Sequence, residues 1–73
     1  MNAPPTAVIV QLDGSPRTLA AGTTLAALLA ELGHAPDAVG TALNGRFVAR
    51  GQREAQVLQA GDQVLFFQAI VGG

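Results

Sequence analysis

The sequence has 73 residues, of which 49% are hydrophobic and 12% charged, and its formal net charge is −1. A chain of this length accommodates one small domain with a thin core, which excludes a catalytic domain joined to a separate substrate domain. It contains no cysteine, so a disulfide scaffold, a thiol nucleophile and a cysteine-ligated metal site are excluded. It also contains no lysine, which excludes Schiff-base chemistry on a lysine side chain.

The charges and the apolar segments limit the partners. The basic residues are Arg17, Arg46, Arg50 and Arg53. Five acidic residues outnumber them, so no basic patch for nucleic acid is predicted. His34 is the only histidine and there is no cysteine, so we predict no metal site. No segment approaches the roughly 20 apolar residues that span a bilayer, and the first residues lack the features of a signal peptide. We expect a cytoplasmic protein without a membrane partner.

The first third of the chain predicts a β-hairpin. Residues 1–5 include two prolines and are expected to form a flexible lead-in. Residues 6–12 are rich in β-branched side chains, with Val8, Val10 and Leu12 on one face, and predict a strand. The cluster Asp13-Gly14-Ser15-Pro16 predicts a turn, and residues 17–20 predict the returning strand.

A helix is predicted next. Thr23 is a candidate N-cap for a helix over residues 24–32, and Gly33 is a candidate residue for its left-handed C-terminal end. The apolar stripe at helical spacing is Leu25, Leu28, Leu29 and Leu32. This stripe is expected to pack against a sheet.

The remaining residues predict a second hairpin and a final strand. Residues 39–43 and 46–48 flank Asn44-Gly45, which is a strong signal for a two-residue hairpin turn. Residues 49–60 are expected to be polar and irregular, with Val57 and Leu58 attaching them to the core. Gly61-Asp62 predicts a turn before a last strand over residues 63–70.

The element order predicts the fold class. A ββαββ chain with one amphipathic helix belongs to the α+β class, with the helix packed on one face of a mixed sheet. The last strand is expected to lie between the two hairpins, parallel to the first strand. This arrangement is the β-grasp, or ubiquitin-like, fold. We expect the domain to span residues 6–71 and a flexible tail to comprise residues 72–73.

The Gly72-Gly73 tail is the candidate functional site. Two residues without side chains form a thin segment that can enter a narrow channel in another protein and present the α-carboxylate of Gly73 there. A carboxylate becomes reactive toward nucleophiles when it is converted to an acyl-adenylate, and sulfide or a persulfide can then displace AMP to leave a thiocarboxylate. This chemistry requires no catalytic side chain from the carrier.

Several motifs together resemble the ThiS-type sulfur carriers of thiamine biosynthesis. They are Leu43-Asn44-Gly45, Gly61-Asp62-Gln63-Val64 and the terminal segment Phe66-Phe67-Gln68-Ala69-Ile70-Val71-Gly72-Gly73. The resemblance covers residues 6–73. It departs from the family at Val48-Ala49-Arg50, because relatives often have a proline after the valine, and this puts the shape of that loop in doubt.

The resemblance implies a cycle in which the protein is a cosubstrate rather than an enzyme. A ThiF-type, E1-like adenylyltransferase would use ATP to adenylate Gly73, with Gly72 as the neighbouring residue that threads into the active site. A cysteine desulfurase and its relay would supply sulfur, and a ThiG-type thiazole synthase would accept it. The carrier itself would bind no cofactor.

The final strand also suggests a docking surface. If Val64, Phe66 and Ile70 point into the core, strand alternation places Leu65, Phe67 and Ala69 on the other face. A β-grasp sheet carries its helix on one face, so the second set would be exposed beside the tail. We therefore expect Leu65, Phe67 and Ala69 to contact partners.

Three alternatives to this function remain at the level of the sequence. A MoaD-type small subunit of molybdopterin synthase shares the fold and the diglycine, although such chains often have prolines before the terminal glycines. A ubiquitin-like interaction domain would have the same fold with an incidental tail. A conjugating modifier would attach through Gly73 to lysines of its targets.

Overall fold

The computed structural model describes residues 6–68, which form five strands, one α-helix and one 3₁₀ helix. The elements are β1 (Ala7–Leu12), β2 (Ser15–Ala20), α1 (Leu25–Glu31), β3 (Val39–Leu43), β4 (Arg46–Val48), the 3₁₀ helix (Arg50–Ala55) and β5 (Gln63–Gln68). The predicted lead-in, the end of the predicted last strand at residues 69–70, residue 71 and the diglycine tail lie outside the described residues.

The strands form one mixed sheet in the order β2-β1-β5-β3-β4. β5 lies between the two hairpins, parallel to β1 and antiparallel to β3. Leu12 pairs with Val64 on one side of β5, and Leu43 pairs with Val64 on the other. The predicted position and direction of the last strand are confirmed, and the architecture is that of a β-grasp domain.

The first hairpin turns within fewer residues than predicted. Asp13 and Gly14 both have positive φ, at 50° and 85°, as a two-residue turn of type I′ requires. Ser15 and Pro16 therefore begin β2 instead of completing the turn, and Leu12 pairs directly with Ser15. Pro16 is tolerated there because β2 is an edge strand of the sheet.

Helix α1 is capped at both ends by its own sequence. The predicted N-cap, Thr23, is wrong by one position: the Thr24 hydroxyl accepts the amide of Ala27, whereas the Thr23 hydroxyl donates to the carbonyl of Ala20. At the other end Gly33 has φ 82°, as predicted. Its amide donates to Ala30, and the amide of His34 donates to Leu29, which is the Schellman pattern.

The segment after β4 is more ordered than predicted. Instead of an irregular stretch, residues Arg50–Ala55 form a 3₁₀ helix. Leu58 is buried in the core as expected, but Val57 is 41% exposed, so it does not attach the segment to the core by its side chain. Its backbone instead forms an isolated bridge to Thr24.

The core lies between α1 and the inner face of the sheet. Its buried members are Val8, Val10, Leu19, Leu25, Leu28, Leu43, Val48, Leu58 and Val64. The predicted helical stripe faces this core, with Leu29 also buried and Leu32 partly buried against it. Within residues 6–68, no helix is long and apolar enough to cross a membrane.

Candidate functional site

β5 is the element that leads to the Gly72-Gly73 tail. Two neighbouring strands hold it, and its last described residue, Gln68, pairs with Val39 at the start of β3. The backbone amide of Phe66 donates a hydrogen bond of 3.1 Å to the carboxylate of Asp13, which follows the last residue of β1. Most of β5 is therefore fixed, although Ala69, Gly72 and Gly73 lie outside the described residues.

The side chains of β5 alternate between the core and the open face of the sheet. Val64 is fully buried and Phe66 is half-buried, whereas Leu65 and Phe67 are 49% and 44% exposed. The inward and outward positions of these four residues agree with the sequence prediction. The role of Leu65 and Phe67 in docking stays a prediction, and Ala69 and Ile70 lie beyond the described part of the strand.

A third large apolar side chain, Phe47 of β4, joins Leu65 and Phe67 on the open face. Ala42 of β3 pairs with Phe47 on one side and with Leu65 on the other, so the three residues form one row across the sheet. Phe47 is 68% exposed. We call Phe47, Leu65 and Phe67, together with the small residues Gly40 and Ala42 between them, the sheet patch.

The sequence analysis missed Phe47, Gly40 and Ala42 as members of this surface. The Asn44-Gly45 turn sets the register that places Phe47 opposite Ala42, and this part was available from the sequence. The pairing of Ala42 with Leu65 joins two segments that are distant in the chain, so local patterns did not reveal it.

The helix side of the sheet contains a separate hollow of about 380 Å³, lined mainly by α1 and the 3₁₀ helix. Arg53 forms part of its wall and is only 4% exposed. Its guanidinium donates to the Thr41 hydroxyl at 3.1 Å and to the carbonyls of Pro36 and Val39, at 2.6 and 2.7 Å. Desolvation by burial, followed by the nearby Arg50 charge, lowers the pKa of Arg53.

Arginines on a small domain are expected to be solvated surface charges, and for Arg53 this expectation is wrong. Its side chain is buried because three oxygen acceptors from two segments converge on the guanidinium, which partly replaces the hydration it loses. These bonds connect the 3₁₀ helix to β3 and to the loop before β3. We assign this side of the molecule to stability.

Two further reactive side chains within residues 6–68 are Ser15 and His34. Ser15 begins β2, and His34 is an exposed residue whose ring lies edge-on to Phe66, with 5.5 Å between centroids. Among residues 6–68, no three histidine or carboxylate side chains come together to hold a metal ion. The feature of the described residues that bears on the predicted docking is therefore the exposed sheet patch.

The fold and the site define a class: a β-grasp domain whose open sheet face carries an apolar patch that includes two residues of β5, the strand that leads to a diglycine. The ThiS family model matches residues 9–73. The chain therefore belongs to the ThiS family.

Two curated proteins are similar to parts of this chain. Thiazole synthase from Magnetococcus marinus is 44% identical over 64 residues, which cover 88% of this chain and 20% of that protein. The chain thus spans about a fifth of the length of that relative. The sulfur carrier protein ThiS from Escherichia coli is 41% identical over 54 residues, which cover 74% of this chain and 82% of that protein.

Two solved structures of ThiS from Geobacter metallireducens have the same fold. The crystal structure superposes with a TM-score of 0.78 at 28% identity and covers 90% of this chain and all of that one. The solution structure of a thiamine biosynthesis protein from the same organism gives a TM-score of 0.72 at 29% identity, covering 90% and 88% of the two chains.

Proposed function

We propose that this protein is a sulfur carrier of thiamine biosynthesis that transports sulfur as a thiocarboxylate on Gly73. The observation that carries the proposal is membership of the ThiS family over residues 9–73, a range that includes the terminal Gly72-Gly73. The similarity to a sulfur carrier from Escherichia coli and to part of a thiazole synthase favours the thiamine pathway over molybdopterin synthesis.

In the proposed cycle, the Gly73 carboxylate attacks the α-phosphorus of ATP in an E1-like, ThiF-type enzyme and releases pyrophosphate. The product is a mixed anhydride of the carboxylate and AMP. Sulfide, or a persulfide from a cysteine desulfurase relay, attacks the acyl carbon and expels AMP. Sulfide gives the thiocarboxylate directly, and a persulfide gives an acyl disulfide that a thiol then cleaves.

The carrier contributes binding and orientation to this cycle, and its partners contribute catalysis. Gly72 adds no side chain that would widen the segment entering an active site. The sheet patch provides exposed apolar contact area on β5, the strand that leads to this segment, and on the neighbouring strands. Leu65, Phe67 and Ala69 are the proposed docking residues. A ThiG-type thiazole synthase is the proposed acceptor of the sulfur, and the carrier is proposed to be a substrate of these enzymes, not an enzyme.

Intact-mass spectrometry tests the function directly. The protein is incubated with a ThiF-type enzyme, ATP and a sulfur source, and its mass is followed. We expect a gain equal to the replacement of one oxygen by sulfur, located at Gly73 by fragmentation and absent without ATP. A chain lacking Gly73 should show no gain. An unchanged mass of the full chain, with an enzyme that modifies another carrier in the same assay, would contradict the proposal.

A further inference from the structure

The ring of Phe67 occupies space that only a glycine at position 40 leaves free. A Cβ built on Gly40 would lie 2.6 Å from Cζ and 2.8 Å from Cδ2 of Phe67, and closer still to Cε2. Phe67 is paired with Gly40 across β5 and β3, so its ring lies over the backbone of the neighbouring strand. The backbone of Gly40 is not in the left-handed region, so conformational freedom does not explain this glycine.

Phe47 contacts the same ring from the other side of β3. The centroids of Phe47 and Phe67 are 6.3 Å apart, with 41° between the ring planes. Aromatic pairs at this separation attract each other beyond the area they bury. The ring of Phe67 thus packs against both Gly40 and Phe47 on the open face, although Phe67 remains 44% exposed.

From this geometry we propose that Gly40 and Phe47 hold Phe67 as a preformed anchor for docking on thiazole synthase. A side chain that is already ordered in the free protein loses less conformational entropy when it binds. The inference rests on the proposed function and extends the interface to β3 and β4, with Gly40 as a positioning residue and Phe47 as a contact residue.

One observation points to thiazole synthase as the partner that binds the sheet patch, and a second places the contact near the end of β5. In the Magnetococcus marinus protein, the similar segment is part of the thiazole synthase polypeptide itself, which keeps that segment and the rest of the protein at high effective concentration. In addition, Gly73 lies five residues beyond Gln68, and an extended segment of five residues reaches at most about 18 Å. A partner that binds Gly73 in its active site must therefore contact the domain near the end of β5, where Phe67 lies.

Calorimetric titration of the unmodified carrier into thiazole synthase tests the proposal. We expect Phe47→Ala and Gly40→Ala each to raise Kd by about tenfold, as loss of an anchor contact typically does. Ile9→Ala is the control for Phe47→Ala, because Ile9 is 54% exposed on β1 outside the patch. Gly51→Ala is the control for Gly40→Ala, because a Cβ at Gly51 meets no atom within 4 Å. Both control variants should have a Kd within about twofold of that of the unsubstituted protein, because surface substitutions usually have small effects.

A double mutant separates positioning from a general loss of structure. If Gly40 acts through the Phe67 ring, Gly40→Ala should add nothing to the loss of affinity caused by Phe67→Ala. Thermal unfolding of each variant checks the fold, and Phe47→Ala tests the anchor even if Gly40→Ala unfolds. A full additional loss in the Phe67→Ala background would overturn the positioning role, and unchanged Kd values for Phe47→Ala would overturn the anchor.

Failure of this inference is distinguishable from failure of the proposed function. Tight binding by the unsubstituted protein, together with unchanged binding by the patch variants, contradicts the anchor and leaves the carrier role intact. No measurable binding by the unsubstituted protein contradicts thiazole synthase as the partner and overturns both the anchor and that part of the proposed function. Thiocarboxylate formation on Gly73, measured by mass, is independent of either result.

Discussion

Ala49 shows how a single residue can depart from a family pattern while the backbone keeps the conformation that pattern requires. Relatives of the ThiS type often have a proline here. Ala49 has φ −64° and ψ 150°, and this φ is the value that a proline ring imposes. The preceding residue, Val48, lies in a strand, which is the conformation favoured before proline. The loop therefore has a conformation that accepts either alanine or proline at position 49, and the absence of the proline does not change its shape.

Ala49→Pro is expected to stabilise the protein by about 0.4–1 kcal/mol, because proline reduces the conformational freedom of the unfolded chain. Leu43 and Arg46 are the hydrogen-bonded pair that closes the two-residue turn. Because hydrogen-bonded and non-hydrogen-bonded pairs alternate along an antiparallel ladder, the backbone amide of Ala49 points away from β3. The substitution then removes no sheet bond. Urea denaturation measures the change in free energy of unfolding.

Ala38→Pro is the matched control for this prediction. The amide of Ala38 donates to the carbonyl of Ala35, at 3.0 Å, so proline removes a hydrogen bond there. We expect this loop variant to be destabilised while Ala49→Pro is stabilised. A lower free energy of unfolding for Ala49→Pro would show that its amide or its φ matters in a way that the geometry does not indicate.

At the scale of elements, Arg53 fixes the 3₁₀ helix against the start of β3. Its planar guanidinium reaches Thr41, Pro36 and Val39 at once, and the single ammonium group of a lysine cannot reproduce that divergent geometry. We expect Arg53→Lys to cost about 2 kcal/mol and Arg53→Met about 3 kcal/mol, because buried oxygen acceptors lose their donors.

Arg50→Lys provides the comparison for Arg53, since Arg50 belongs to the same 3₁₀ helix and is exposed. Its free energy of unfolding should change by less than about 0.5 kcal/mol. Chemical denaturation of the three variants measures these differences. Equal effects at positions 50 and 53 would mean that the hydrogen bonds of Arg53 contribute no net stability.

Local patterns predicted most elements but not the contacts between them. The Asn44-Gly45 and Gly61-Asp62 turns were both predicted from their own residues. The structure also joins the two turns by hydrogen bonds. The side-chain amide of Asn44 donates to the carboxylate of Asp62 at 3.0 Å, and the backbone amide of Gln63 donates to the side-chain oxygen of Asn44 at 2.9 Å. These partners are 18 and 19 residues apart, so no local period indicates them. The burial of Arg53 was missed for the same reason, because its acceptors lie 12 to 17 residues away.

The cap of α1 and the sheet patch likewise have parts that the local sequence predicts and parts that depend on distant residues. Thr23 and Thr24 are both able to cap α1, and only the backbone path after β2 decides that Thr24 does so. Strand alternation predicted that Leu65 and Phe67 face outward, because it depends on one strand alone. Phe47 belongs to the same patch through pairing across three strands, which the sequence does not encode locally.

At the scale of the whole molecule, the core and the proposed docking surface lie on opposite faces of one sheet. The inner face buries the core under α1, and the open face leaves the sheet patch exposed. A domain of this size is expected to have a total stability of only about 4–11 kcal/mol. Substitutions on the inner face therefore endanger folding, whereas the exposed side chains of the sheet patch, Phe47, Leu65 and Phe67, are expected to be replaceable with the fold intact.

This separation predicts that docking and tail chemistry can be altered independently. Gly72→Val adds a β-branched side chain that stiffens and widens the segment next to the reacting carboxylate. We expect thiocarboxylate formation to slow by at least about tenfold, because small misplacements of a reacting group have effects of this size or larger. The affinity for thiazole synthase should change less than about threefold if the patch supplies most of the contact energy.

Gly51→Val makes the same substitution in the 3₁₀ helix, at a position where a Cβ meets open space, and it should change neither quantity. Intact-mass time courses give the rate of thiocarboxylate formation, and calorimetry gives the affinity. If Gly72→Val forms the thiocarboxylate at the rate of the unsubstituted protein, the partner's channel accepts a side chain and the diglycine is not required for threading. If Gly72→Val instead lowers both the affinity for thiazole synthase and the rate of thiocarboxylate formation, the tail itself contributes binding energy. The sheet patch would then not supply most of the contact energy.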